Sequence, residues 1–146
     1  MVTRKLKPKP RVKTTYSQWY AGESKRQRKL RQHRDLHGSF RKIIEVDITL
    51  RHGLVAEHKF NPVRQYAFDF AWPHLKIGID LQGGIYNPGR RTGHTSIKGM
   101  ENDMEKLNLA MTNGWLVLLF SPNKVYYEQK YVFNSVMALH RLRKQE

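Results

Sequence analysis

The chain has 146 residues, no cysteine and a net charge of +15. That length suits one compact domain and little more, and the lack of cysteine excludes disulfides and thiolate metal sites. No apolar run reaches the roughly 18 residues of a membrane helix, and the first residues are charged and proline-rich, so neither a membrane span nor a secretory signal is expected. A reducing, cytoplasmic setting fits this usage.

The charge is unevenly placed. Residues 1–42 carry 14 Lys and Arg against Glu23 and Asp35, a net +12, which leaves +3 for residues 43–146. Basic charge this dense predicts a polyanionic partner, because each Lys or Arg near a phosphate releases condensed counterions. Residues 1–14 alternate Lys and Pro without apolar period and read as an extended arm. Residues 16–20 hold three aromatics, which suit docking on the body better than stacking on bases. Residues 23–36 are good helix formers with Leu30 and Leu36 as their apolar residues, predicting a polar helix closed by Gly38. Lys25, Arg26, Arg28, Lys29 and Arg31 on it are candidate phosphate contacts. The organisation expected is a basic arm over 1–38 and a catalytic domain over 39–146.

In the second part, Ser39 predicts the cap of a new helix reaching about Leu50, with Phe40, Ile43 and Ile44 on its apolar face. The pattern then changes to strands. VAEHKF is a short one, broken at Asn61-Pro62; QYAFDFAW and LKIGIDL alternate on either side of a Pro73-His74 turn. Residues 83–99 form a glycine-rich basic loop, and residues 100–113 read as a helix ended by Gly114. WLVLLF predicts a strand buried on both faces. A last helix is expected over about 128–143. Helix, three strands, helix, strand, helix predicts an α/β fold with a mixed sheet flanked by helices.

Two carboxylates interrupt the apolar strands. With a period of two, Asp69 projects opposite Phe68 and Phe70, and Asp80 opposite Ile79 and Leu81. A hairpin around Pro73-His74 sets 69 and 80 nearly opposite each other on one sheet face. Two such charges repel unless a divalent cation joins them, and hard oxygen ligands suit Mg²⁺ or Mn²⁺. Gln82 falls on the same face and can orient a water. Without a metal, Asp69 would instead pair with a buried cation and Asp80 would merely end a strand.

These segments resemble a known family. FNPVRQYAFDFAWP, KIGIDLQGG, GHTSIKGMENDMEKLNLA and GWLVLLFSP, in that order, are similar to endonucleases of the PD-(D/E)XK superfamily. The likeness is nearest to the branch of very-short-patch-repair nucleases and phage Holliday-junction resolvases. It implies a restriction-endonuclease-like fold with a basic N-terminal extension, and metal-dependent DNA cleavage with Asp69, Asp80 and the Leu81 carbonyl as Mg²⁺ or Mn²⁺ ligands. It also implies a role for His94 in phosphoryl chemistry, a Lys106 directed at the metal, and an acid from the first helix, Glu45 ahead of Asp47. The family usually has Glu at position 80, and Glu or Lys at position 82, where this chain has Gln82. The water-activating group therefore stays open between Lys106, His94 and the metal. Arg90, Arg91 and Lys98 are expected to clamp phosphates.

The function expected is resolution of branched DNA by a homodimer, within a host cell if the gene is a phage's. The alternatives are a sequence-specific homing, repair or restriction-type nuclease or nickase, and a non-catalytic nucleic-acid-binding protein. Trp72 and Trp115 read as core.

Overall fold

The structure is a computed structural model that describes residues 24–83 and 97–145. It opens on a capping box: the Ser24 hydroxyl accepts the Gln27 N–H, and the Gln27 carboxamide accepts the Ser24 N–H. Helix α1 (Lys25–Ile44) starts there and runs without a break through Gly38 and Ser39. The expected helix end at Gly38 and new cap at Ser39 are thus corrected. The reason is burial. Leu36, Phe40, Ile43 and Ile44 form one apolar stripe that crosses Gly38, and all four are buried. Continuity of that stripe outweighs the roughly 1 kcal/mol that an interior glycine costs relative to alanine.

Gly38 has open space where a Cβ would go and lies in regular helix. Gly38→Ala is therefore expected to stabilise the protein by about 0.5–1 kcal/mol, seen as a higher urea midpoint with an unchanged m-value.

The first helix also stops short of the expected end near Leu50. Asp47 accepts N–H bonds from Thr49 (2.7 Å) and Leu50 (3.1 Å) and caps a separate short helix, α2 (Ile48–Arg51). Strand β1 (Val55–Lys59) follows, then β2 (Ala67–Trp72), a 3₁₀ turn (Pro73–Leu75) and β3 (Ile77–Leu81). Lys76, with φ 49°, takes the left-handed conformation that closes the turn. Helix α3 (Ile97–Thr112) ends at Gly114, whose φ of 79° suits glycine, and leads to β4 (Leu116–Phe120). Ser121 caps α4 (Pro122–Tyr127), with Pro122 in its first turn, and α5 (Gln129–Lys144) completes the described chain. Helix α4 was not expected, although Ser-Pro is its ordinary opening signal.

The sheet has the order β1-β2-β3-β4. β1/β2 and β2/β3 are antiparallel, and β3/β4 is parallel with α3 as the crossover between them. The protein is thus α/β, a mixed four-stranded sheet with helices on both faces. On one face Phe40, Ile44, Phe70, Trp72, Ile77, Ile79, Phe120, Val132 and Val136 form the main core under α1 and α5. On the other, α3 covers a smaller cluster of Phe68, Ala71, Ala110 and Trp115. Trp72 and Trp115 are core, and the Trp72 indole N–H donates to the Leu50 carbonyl at 2.7 Å. No helix among the described residues is long and apolar enough to cross a membrane.

Strand β4 departs from expectation. Its apolar run predicts burial on both faces, but among the described residues it forms one edge of the sheet, and Leu119 is 45% exposed. An apolar run alone does not reveal where in a sheet a strand lies.

Candidate functional site

Phe70 pairs with Ile79 and Ala71 with Gly78. One step further along this register sets Asp69 across from Asp80, as the hairpin argument requires. Strict alternation nevertheless fails at this point. Phe68 belongs to the α3-side cluster and Phe70 to the main core, so Asp69 does not lie simply opposite both. The Phe68 ring lies over Gly78, where any Cβ would come within 2.7 Å of it. On the neighbouring strand Glu57 has φ 51° between the pairs Ala56–Phe70 and His58–Phe68, so a distorted residue faces Asp69 from β1. Asp69 itself turns towards β3 and α1. Its Oδ2 accepts the Leu81 N–H at 2.6 Å, and its Oδ1 lies 3.5 Å from His37 Nε2 on α1.

Asp80 looks to the other helix layer. Its side chain is 9% exposed, and its Oδ2 accepts a hydrogen bond from Lys106 Nζ at 2.6 Å. Lys106 reaches across from α3 with its ammonium 5.4 Å from the Phe68 ring centroid, so Phe68 supports the lysine that meets Asp80. Burial pushes the Asp80 carboxyl above the usual carboxylate range. The Lys106 charge and hydrogen bond oppose the rise, the Asp69 charge adds to it, and a bond from the Asp69 backbone pulls it down. Asp69 and Asp80 thus come near each other where β2 begins and β3 ends, Asp69 held towards His37 of α1 and Asp80 towards Lys106 of α3.

Beside them opens a pocket of about 450 Å³ whose walls include Asp80, Gln82, Asp103, Lys106, Lys124 and Tyr131. Gln82 is therefore brought to the same pocket as Asp80 and Lys106. No known protein family, curated protein or solved structure matches this chain. What the site can do rests on its own geometry.

The donors gathered here are hard oxygens: the Asp69 and Asp80 carboxylates and the Leu81 carbonyl. The last accepts the Gly83 N–H at 2.9 Å and keeps a second lone pair. Among the described residues no three His, Cys, Asp or Glu side chains come together as a metal cage. Mg²⁺ commonly binds proteins through one or two carboxylates and keeps waters elsewhere, so this donor set fits it.

The remaining expected residues fall elsewhere. Glu45 caps the end of α1 and pairs with Arg41 at 3.3 Å, away from the carboxylates; Asp47 is used as the α2 cap. From α1 it is His37 that reaches Asp69. His37 lies beside the Leu36–Phe40 stripe, which would have indicated it had the helix been read through Gly38. Glu105 accepts from Arg64 at 2.6 Å and from the Tyr66 hydroxyl at 3.2 Å, clasping α3 to the loop after β1. Arg26 and Lys98 are exposed on the first turns of α1 and α3. The side chains of Lys25, Arg28, Lys29 and Arg31, and all of Arg90, Arg91 and His94, lie outside the described residues.

Proposed function

We infer that the protein is a Mg²⁺- or Mn²⁺-dependent endonuclease of DNA, of the restriction-endonuclease-like kind. The carrying observation is the hairpin register that sets Asp69 across from Asp80, with Asp80 Oδ2 and Lys106 Nζ 2.6 Å apart. The order of strands and helices is compatible with that reading, and the net +12 of residues 1–42 supports a polyanionic substrate. Asp69, Asp80 and the Leu81 carbonyl would hold the cation. When bound, the cation supplies charge stabilisation on the phosphoryl oxygens and acidifies the attacking water. His37 braces the Asp69 carboxylate through the 3.5 Å contact. Lys106 holds a proton at Nζ in the place where negative charge gathers on the phosphate, and offers it as a hydrogen bond there. Gln82 orients water through its carboxamide but takes no proton. Branched DNA is the preferred substrate within this reading, with a homodimer placing one site on each of two strands.

One observation favours a second reading. Lys106 already neutralises Asp80 without a cation, as it would in a non-catalytic nucleic-acid-binding protein. Cleavage assays of wild type and Asp80→Asn with Mg²⁺ and Mn²⁺, on four-way junctions and linear duplexes, decide between them. Cation-dependent cutting by wild type alone supports the nuclease; binding with no cutting by either supports the second reading. Equal cutting of junctions and duplexes removes the preference for branched DNA.

The basic arm has its own test. Because α1 runs into the core through Leu36, a deletion should stop before the Ser24 cap. Removing residues 1–23 takes away six Lys and Arg. It is expected to weaken DNA affinity and to flatten the slope of log K against log salt, by up to about 0.9 per lost phosphate contact. An unchanged slope in titrations at several salt concentrations would assign the arm another role.

A further inference from the structure

The pocket beside Asp80 is larger than a cation and its waters require, and its far side is built for something else. Asp80 and Lys106 stand at one side. Lys124 of α4 and Tyr131 of α5 close another, with Lys124 Nζ 4.7 Å from the Tyr131 ring centroid and paired on its other side with the exposed Glu128, a surface pair that a phosphate can displace. Leu107 and Leu119 contribute apolar walls, while Gln82, Ser121 and Asp103 contribute polar ones. Leu119, directly beside Asp80 in register on a strand that is an edge among the described residues, is 45% exposed. The volume falls within the roughly 300–1,000 Å³ of small-ligand sites, and an apolar wall with a few convergent polar groups is their usual lining.

The α4–α5 corner has a matching composition. Residues 124–131 read KVYYEQKY, and Tyr127 and Tyr131 are 82% and 53% exposed. Exposed tyrosines interleaved with lysines are the makings of a surface that stacks bases and follows a phosphate backbone. A base held in a duplex is stacked on both sides and cannot enter such a recess, whereas an unpaired one can.

We propose that this pocket is a subsite for an unpaired nucleotide flanking the scissile phosphate, with Tyr131 stacking on the base and Lys124 meeting the adjoining phosphate. Asp103 and Gln82 supply acceptors for an exocyclic amine of the base, and Leu107 and Leu119 lie against its apolar faces. The inference rests on the nuclease reading and deepens it: the preferred DNA carries unpaired nucleotides next to the cut.

The test compares a fluorescent duplex bearing a short single-stranded flap with a fully paired duplex of the same sequence. Binding is read in EDTA, and cleavage with Mn²⁺. Wild type should prefer the flap. Tyr131→Ala should lose about ten-fold in affinity for it and with that the preference, while Tyr131→Phe, which keeps the ring, retains both. Lys124→Ala should raise KM with kcat nearly kept, as for an interaction present equally in ground and transition states. Wild-type flap preference persisting in Tyr131→Ala, or equal losses in the alanine and phenylalanine variants, would overturn the subsite. So would a wild type that cuts flapped and paired duplexes alike, which leaves the nuclease reading intact. A wild type that cuts nothing overturns the nuclease reading instead, and the flap preference in EDTA still judges the pocket.

Discussion

Asp80→Asn is expected to lose Mn²⁺-dependent cleavage by roughly 100- to 1,000-fold, the scale of removing one group that stabilises transition-state charge, while melting close to the wild-type temperature, because relief of the buried Asp80 charge is offset by the lost partner of Lys106. The two halves of this expectation come from the same burial. Asp80 is almost enclosed, and burial raises its pKa despite Lys106. A carboxyl with a raised folded-state pKa contributes stability below its unfolded-state value, and that contribution is lost as the pH rises through the folded value. Ionising Asp80 therefore burdens the cation-free fold, and Lys106 only partly relieves it. Asparagine keeps the shape and an oxygen for Lys106 without the charge. A cation reverses the balance in wild type, because a ligand that binds only the native state stabilises it by about 2.7 kcal/mol at 100 times its Kd. Mn²⁺ should thus raise the melting temperature of wild type and leave the variant unmoved. The shift should grow with pH as protons compete less for Asp80. Equal Mn²⁺ shifts in the two proteins would remove Asp80 from the metal site.

The pairing of the two carboxylates could be read from the chain because it depends on local periodicity. Alternation in FDFAW and IGIDL, with a turn between them, set residue 69 across from residue 80, and the folded hairpin has that register. The order of the four strands and the buried tryptophans follow from the same patterns, whereas the short helices Ile48–Arg51 and Pro122–Tyr127 do not. What was not legible depends on contacts distant in sequence. Nothing near Gly38 says that the Leu36–Phe40–Ile43–Ile44 stripe is needed whole, because the surface it covers is supplied by Phe70 and Phe120 far along the chain. With the helix broken at that glycine, His37 could not be seen to reach Asp69. The twist at Asp69 was hidden likewise: Phe68 changes face because Gly78 on the next strand leaves room for its ring. The exposed side of β4 was missed because WLVLLF reads the same whether or not a fifth strand lies beside it.

Acid should weaken the fold through one buried histidine, and removing it should make the protein more acid-resistant. His140 on α5 is 2% exposed and stands edge to face with Trp72, ring centroids 4.6 Å apart. Neither of its ring nitrogens has a hydrogen-bond partner among the described residues. Burial holds its pKa down from 6.5 to about 4; the charges of Lys144, one turn along the helix, and His74, from the turn after β2, lower it further, while Asp47 pulls it up. For a base with a lowered folded-state value, the unfolded chain takes up the proton first. Its contribution to stability is complete above pH 6.5 and is lost as the pH falls towards 4, and the whole loss is about 3 kcal/mol. His140→Leu abolishes that proton uptake and also removes two buried polar atoms, each costing about 1–3 kcal/mol when unpaired. Urea unfolding at pH 7, 5.5 and 4.5 should therefore show wild type weakening steeply and His140→Leu much less, with the gap between them widest at the lowest pH. Carboxylates elsewhere titrate in both proteins, so the difference between the two curves isolates His140. Parallel curves would mean that His140 is protonated within the fold as readily as outside it, and that its burial costs the protein nothing in acid.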